Sequence, residues 1–211
     1  MYSVPYGKEM LVILAGYALG CFTSGYYLVR WRTGADIRLV GSGSVGATNV
    51  SRVLGLPGFC LTVSCDFGKG MLAVWLAEYF RINPTATVLT MLAVTTGHVW
   101  PAQLWFRGGK GVATSLGALL LFSYFSALIF TGLFLALFAV VRNFVLAGLL
   151  AFALTPLALL LLDFPLTSVF GLSALALLIL IAHRKNIPDE IGKLMNERRI
   201  KSDKPTSRND P

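Results

Sequence analysis

At 211 residues, 55% hydrophobic and only 13% charged, with a mean hydropathy of +0.70, the chain has too few polar side chains to cover a soluble globule of its size. That composition excludes a soluble domain and marks an all-α integral membrane protein. The net charge of +8 is accounted for by where the basic residues fall along the spans, not by nucleic acid.

The start, MYSVPYGKEM, carries neither a basic n-region nor a small-residue cleavage site, so no removable signal peptide is expected. The first apolar run, about residues 10–29, is long enough at 1.5 Å per residue to cross a ~30 Å hydrocarbon core. Gly16, Gly20, Ser24 and Gly25 supply small packing positions along it. A polar loop at about 30–56 leads to a second span at about 57–79, with Pro57 in its first turn and Asp66 and Lys69 inside it. A third span is expected at about 85–106, containing His98, Trp100 and Pro101, and RGGKG at 107–111 follows. The apolar run at about 112–141 is too long for one span. The Ser123-Tyr124 interruption divides it into a short fourth helix ending near Phe122 and a fifth starting near Phe125. A sixth span at about 144–162 bends or thins around Pro156, and a seventh at about 166–182 ends where His183-Arg184-Lys185-Asn186 leaves the membrane. Residues 1–187 thus form one bundle of about seven transmembrane helices, or five if the fourth and fifth merge and another is re-entrant. Residues 188–211 form a basic, helix-capable tail running into SDKPTSRNDP, a segment of disordered composition.

With an odd number of spans, every basic residue except Lys8, Lys69 and Arg81 falls on one face. The positive-inside tendency then places the N-terminus outside and the glycine-rich loops and C-terminus in the cytoplasm. Cys21, Cys60 and Cys65 are odd in number, lack paired spacing and have no nearby His, so neither a disulfide framework nor a metal site is expected. Buried thiols are the expectation.

The polar stretch that the spans frame is GSGSVGATNVSR, residues 41–52. Gly41, Gly43 and Gly46 admit turns through which successive N–H groups converge on an anion, and Ser42, Ser44, Thr48 and Asn49 add hydroxyl and amide groups. A helix starting near Thr48 adds its positive end and places Arg52 one turn in, suited to a bidentate phosphate contact. A lone glycine run is more often a connector. Here a second cationic glycine loop alters the weighing: Arg107 and Lys110 flank Gly108 and Gly109, a pattern that clamps a second phosphate, and Gly111 opens the next helix. Within the spans, Asp66 and Lys69 are three apart on one helix face and neutralise one another. Asp66 and His98 lie at similar depth, roughly 14 and 12 Å in, so His98 reaches the floor of a pocket rimmed by the two loops. His183 and Asn186, also three apart, face the same side of a continued helix and can join that pocket.

The segments GSGSVGATNVSRVLG, DFGKG, GHVWPAQLWFRGGKGVAT and HRKNI, in this order and spacing over nearly the whole chain, resemble the signature segments of the bacterial acyl-phosphate:glycerol-3-phosphate acyltransferases, the PlsY family. The resemblance implies a seven-helix enzyme of the bacterial cell (inner) membrane, acting in phospholipid biosynthesis. It moves a fatty acyl group from acyl phosphate to the 1-hydroxyl of sn-glycerol 3-phosphate, giving lysophosphatidic acid and phosphate. The implied partners are these substrates, membrane lipid and the soluble enzyme that makes acyl phosphate, and no cofactor is implied. Phosphate handling falls to the loop at 41–49, activity to Ser42, Arg52, His98 and Lys110, and the pocket lining to Thr48, Asn49, Arg107, His183 and Asn186. Three places depart from the family pattern: Ser44 stands for Asn, Pro188-Asp189-Glu190 replaces a basic residue and a Gly-x-Glu element, and Phe144-Val145 stands where a small hydroxyl residue is common.

Acyl phosphate is already activated, because phosphate leaves readily, so no covalent acyl-enzyme is needed. The chain has no G-x-S-x-G elbow, and the residue five after His98 is Gln103, not the Asp of a His-x4-Asp arrangement. Transfer then rests on placing the hydroxyl about 3 Å from the carbonyl carbon and neutralising the departing phosphate, with His98 or a substrate phosphate oxygen taking the proton. A transporter of small organic phosphates would want a similar cationic site, but near the midplane of inverted repeats, and no repeat is visible. A non-catalytic scaffold for anionic lipid would explain the tail and leave His98 and the paired loops idle.

Overall fold

The computed structural model describes residues 7–202, with side chains described up to 196; the start at 1–6 and the end of the polar tail at 203–211 lie outside the described residues. Regular structure among the described residues is entirely helical: α1 (Gly7–Cys21), α2 (Ser24–Thr33), α3 (Ala47–Tyr79), α4 (Pro84–Val99), α5 (Val112–Phe122), α6 (Tyr124–Val141), α7 (Phe144–Leu161), α8 (Leu166–His183) and α9 (Ile187–Ser202). Five stretches are long and apolar enough to cross a membrane, namely Gly7–Thr33 (α1 with α2), α3, α6, α7 and α8. At 11 residues α5 is apolar but short, and α4 has 16.

Three boundaries differ from the sequence expectation, each for a local reason. The first span is broken at Phe22-Thr23, and α2 restarts at Ser24 and runs on to a left-handed Gly34, whose N–H bonds to the Arg30 carbonyl at 3.0 Å. The second begins ten residues earlier than Pro57, at Ala47, and turns sharply at Gly55 (φ 65°, ψ −161°), a conformation that glycine adopts without a Cβ penalty. Pro57 follows within the first turn after that break, where its missing N–H costs nothing. The third stops at Val99, not 106, because Pro101 holds Trp100 out of the helical region (φ −126°, ψ 67°). Residues 100–111 therefore form a loop around one 3₁₀ turn, Ala102–Leu104. By contrast Ser123 separates α5 from α6 as expected, its hydroxyl accepting the Ser126 N–H at 3.2 Å as an N-cap.

Packing follows the small residues. α1 crosses α4 where Gly20 faces the Val94 carbonyl and Gly97, and α3 crosses α5 where Gly70 faces the Thr114 backbone and Gly117 faces that of Phe67. In lipid, close backbone approach of this kind replaces the hydrophobic driving force available in water. The interior is apolar, with Met91, Leu119, Phe152, Leu175 and Ile179 from α4, α5, α7 and α8. The outer surface is apolar as well, with exposed Leu128, Leu135, Phe170 and Leu177. The cysteine expectation is corrected here: Cys60 and Cys65 are exposed on the outer side of α3 and Cys21 is half-buried. A thiol behaves as a small apolar group and is as much at home against lipid as in a core.

Replacing Gly70 by Leu drives a side chain into the Thr114 main chain, which has no rotamer with which to give way. The expected cost is about 3 kcal/mol or more, the upper range for an overpacked site, read as a lower melting temperature of the purified protein in detergent.

Candidate active site

A cavity of about 630 Å³ is lined by the loop before α3, α3 itself, the end of α4, the residues entering α5, and α5, α7, α8 and α9. One end is polar, with Ser42, Ser44, Thr48, Asn49, Arg52, Lys110, His183 and Asn186, together with Gly41 and Gly46. Deeper along α3, α5 and α7 the lining is apolar, with Val63, Phe67, Leu116, Leu149 and Phe152, and Val145 lies at the start of α7 beside the polar end. Asp66 and His98 lie at its floor. Of the residues singled out from the sequence, Gly43, Arg107, Gly108 and Gly109 do not line it, and Arg107 is exposed.

The loop at its rim is built on one side chain. Asn49, buried in the first turn of α3, donates from Nδ2 to the carbonyls of Val40 (2.8 Å), Ser44 (2.9 Å) and Ile37 (3.2 Å). Its Oδ1 accepts the Ser42 N–H at 3.1 Å and Arg52 Nη1 at 3.2 Å. The amide thus gathers the loop into a ring and holds Arg52 against it. Gly41 and Gly43 turn through left-handed conformations (φ 56° and 70°), and a Cβ at Gly41 would strike Asn49 Oδ1. Ser44 Oγ accepts the Gly46 N–H at 3.3 Å. The preceding turn is fixed by Arg38, which pairs with Asp36 at 2.6 Å and reaches the Leu104 carbonyl at 2.9 Å, joining this loop to the one after α4. The Arg38 hydrogen bond holds the Asp36 carboxyl below the usual carboxylate range.

Beneath the cavity sits a buried cluster. Lys69 Nζ lies 2.9 Å from Asp66 Oδ1, 2.7 Å from His98 Nδ1, and 3.2 and 2.8 Å from the carbonyl oxygens of Gly20 and Phe22. Asp66 Oδ1 also accepts from Ser24 Oγ at 3.0 Å and is 3.6 Å from His98 Nδ1. Asp66 and His98, expected at similar depth from the sequence, meet here at the end of α4. The His98 ring rests on Gly109, where a Cβ would run into Nε2, and the His98 and Val99 carbonyls accept the N–H groups of Gly109 (3.0 Å) and Gly108 (3.1 Å). These two glycines therefore seat the loop on the end of α4, and Lys110 projects from it into the cavity.

At the opposite rim, α8 ends at His183, whose Nδ1–H donates to the Ile179 carbonyl at 2.8 Å. From Asn186 the chain continues into α9, which brings Asp189, Glu190 and Lys193 to the cavity. Glu190 accepts from Asn143 at 3.0 Å and from Lys193 at 2.7 Å, so α9 is tied to the start of α7. The Lys193 hydrogen bond, then that of Asn143, holds the Glu190 carboxyl below its ordinary range. Burial pushes the Lys110 ammonium below its ordinary range, with the Glu190 charge opposing. Sequence reasoning named Asp189 and Glu190 only as a departure from the family pattern and passed over Lys193, although 186, 189, 190 and 193 recur at helical spacing. Among the described residues no group of three or more His, Cys, Asp or Glu is arranged to hold a metal ion.

The family model described as Glycerol-3-phosphate acyltransferase matches residues 10–193. The chain belongs to the glycerol-3-phosphate acyltransferase family. It is 44% identical over 192 residues to "Glycerol-3-phosphate acyltransferase 1" of Desulfitobacterium hafniense (strain Y51), covering 90% of this chain and 95% of the relative. A "Glycerol-3-phosphate acyltransferase" of Synechococcus sp. (strain CC9902) is 40% identical over 181 residues, covering 85% and 90%. The structure is similar to the crystal structure of PlsY (YgiH), an integral membrane glycerol 3-phosphate acyltransferase, in its glycerol 3-phosphate form, with a TM-score of 0.80 at 34% identity over 89% of this chain and 94% of that one. The lysophosphatidic acid form of PlsY gives a TM-score of 0.77 at 32% identity over the same shares. In this acyltransferase the three departures noted in the sequence come together in space, since Ser44, Phe144, Val145, Asp189 and Glu190 all line the one cavity.

Because Asn49 faces three carbonyls with its amide nitrogen, Asn49→Asp presents an oxygen to oxygens. The variant is expected to lose about 2 kcal/mol or more of stability and at least a hundredfold in activity, measured by thermal unfolding and by acyl-transfer assay.

Proposed function

We propose that this glycerol-3-phosphate acyltransferase draws its acyl group from acyl phosphate, at a cavity facing the cytoplasm in the bacterial inner membrane, with the N-terminus outside. The observation that carries this reading is the joining, in one cavity, of a cationic hydroxyl- and N–H-rich end to an apolar wall. Acyl phosphate is a donor that combines both characters in one small molecule, and glycerol 3-phosphate brings a second phosphate to the polar end. Arg52 and the loop around Asn49 hold one phosphate, Ser42 supplies a hydroxyl beside it, and Lys110 binds as a point charge from the facing loop. Thr48, His183 and Asn186 complete the rim and orient the glycerol hydroxyls. Arg107, Gly108 and Gly109 act through the seating of the loop that carries Lys110. The acyl chain lies along Phe67, Leu116, Leu149 and Phe152.

In the reaction, the 1-hydroxyl oxygen of glycerol 3-phosphate bonds to the acyl carbon, and the carbon–oxygen bond to phosphate breaks with its electron pair going to phosphate. The hydroxyl proton passes to a phosphate oxygen of the substrates. His98 is not suited to take it, since its Nδ1 faces the Lys69 ammonium and its other edge rests on Gly109. Charge neutralisation by Arg52 and Lys110, with orientation by the loop, supplies the rate enhancement. The basic residues clustered at the ends of α2 and α8 and around the two glycine loops support the cytoplasmic placement. That face is also where a soluble enzyme would deliver acyl phosphate.

Purified protein in lipid nanodiscs is expected to form lysophosphatidic acid from acyl phosphate and glycerol 3-phosphate. Acyl-CoA should fail as donor, and equal rates with the two donors would overturn the assignment. Lys110→Ala is expected to lower kcat/KM at least tenfold, which is about 1.4 kcal/mol of transition-state binding, and unchanged steady-state kinetics would remove Lys110 from the site.

A further inference from the structure

The cluster under the cavity contains a buried cation that the acyl transfer, as described, does not use. An ammonium carries three N–H donors and no acceptor; with its donors directed at Asp66, the Phe22 carbonyl and His98 Nδ1 at 2.7 Å, the more distant Gly20 carbonyl shares one of them, and His98 Nδ1 presents a lone pair. The His98 proton therefore sits on Nε2, the edge that rests on Gly109. His183 is the reverse case: its Nδ1 faces the Ile179 carbonyl at 2.8 Å and must carry the proton. The chain has only these two histidines, and they hold opposite tautomers.

Lys69 is itself fixed from the far side. The Gly20 and Phe22 carbonyls belong to the open C-terminal end of α1, where the break before α2 leaves them without helical partners, and a cation is the complementary group there. Asp66 adds its carboxylate at 2.9 Å and reaches Ser24, the first residue of α2. A continuous path thus runs from the α1–α2 break through Lys69 to the His98 ring, and from that ring to Gly109 and Lys110.

We propose that Lys69 is a positioning residue for the reaction: by fixing the tautomer and tilt of His98 it seats Gly109, and so sets where Lys110 meets phosphate. The part concerning Lys110 rests on the reading of that lysine as a phosphate contact, whereas the tautomer of His98 does not.

Two variants test it. Lys69→Met combined with Asp66→Asn removes the donor without leaving a buried carboxylate unpaired, and Gly109→Ala disturbs the ring from the opposite side with the ion pair intact. In histidine-labelled wild-type protein, ¹⁵N spectra should show one ring protonated on Nε2 and one on Nδ1, with His98→Gln assigning the former. In the Lys69→Met/Asp66→Asn variant the His98 signal should shift to a mixture of tautomers, in Gly109→Ala it should move while keeping the Nε2–H form, and that of His183 should stay in both. Each variant should lose at least fivefold in kcat/KM, yet less than a further twofold when combined with Lys110→Ala, because the effect passes through Lys110. A His98 ring that keeps its Nε2–H tautomer in the Lys69→Met/Asp66→Asn variant overturns the proposal, and so do losses that multiply fully with that of Lys110→Ala. A wild-type protein with no acyl transfer would instead remove the functional reading, leaving the tautomer spectra to decide the geometry alone.

Discussion

The arrangement depends first on the ion pair between Asp66 and Lys69. Two charges inside a membrane bundle are costly to desolvate, and the site repays this only because every group around them is complementary. The ammonium closes the C-terminal end of α1 and the carboxylate reaches the N-terminal end of α2, so the pair from α3 bridges a break in the first span. Without it, the carbonyls freed at that break would face an apolar interior with nothing to bond. The same ammonium touches His98 on α4, which bears the loop that delivers Lys110. One buried charge pair thereby ties together α1, α2, α3, α4 and one rim of the cavity.

The opposite rim depends on a neutral group. Asn49 organises the first glycine loop from within, and its donors and acceptor are engaged by the loop and by Arg52. The two rims illustrate different ways of making a loop rigid. A side-chain amide satisfies backbone groups directly, whereas the lysine loop borrows its position from a helix end below it.

Much of this was legible in the sequence, and the reasons for the rest are specific. The α5–α6 division and the α7 and α8 spans follow from apolar run length and from Ser123, signals that lipid makes strong. Asp66 and His98 were expected at similar depth, but their meeting was not readable from the sequence: the expected span edges lay at 57 and 106, whereas α3 starts at Ala47 with a break at Gly55 and α4 ends at Val99, one residue past His98. The break at Phe22-Thr23 was not readable either, since both residues sit in an otherwise apolar run and the ammonium that meets its freed carbonyls, Lys69, is 47 residues away. The role of Gly108 and Gly109 as seats for a loop was equally hidden, because glycines that approach an anion and glycines that approach a histidine ring look alike in sequence. The contribution of α9 was masked by its charge, which reads as a solvated tail until Glu190 is seen bonded to Asn143.

The cavity joins a polar rim to a wall of Phe67, Leu116, Leu149 and Phe152 in one continuous volume. On the proposed reading, ligands that fill its two ends arrive from different phases, one counted per volume of water and the other per area of bilayer. Inert lipid added at constant water volume dilutes the second and leaves the first untouched. Such an enzyme is therefore paced by the crowding of its own membrane plane: growth in surface area at a fixed supply of chain-bearing substrate slows each molecule of enzyme, which couples catalytic rate to the ratio of membrane area to metabolite.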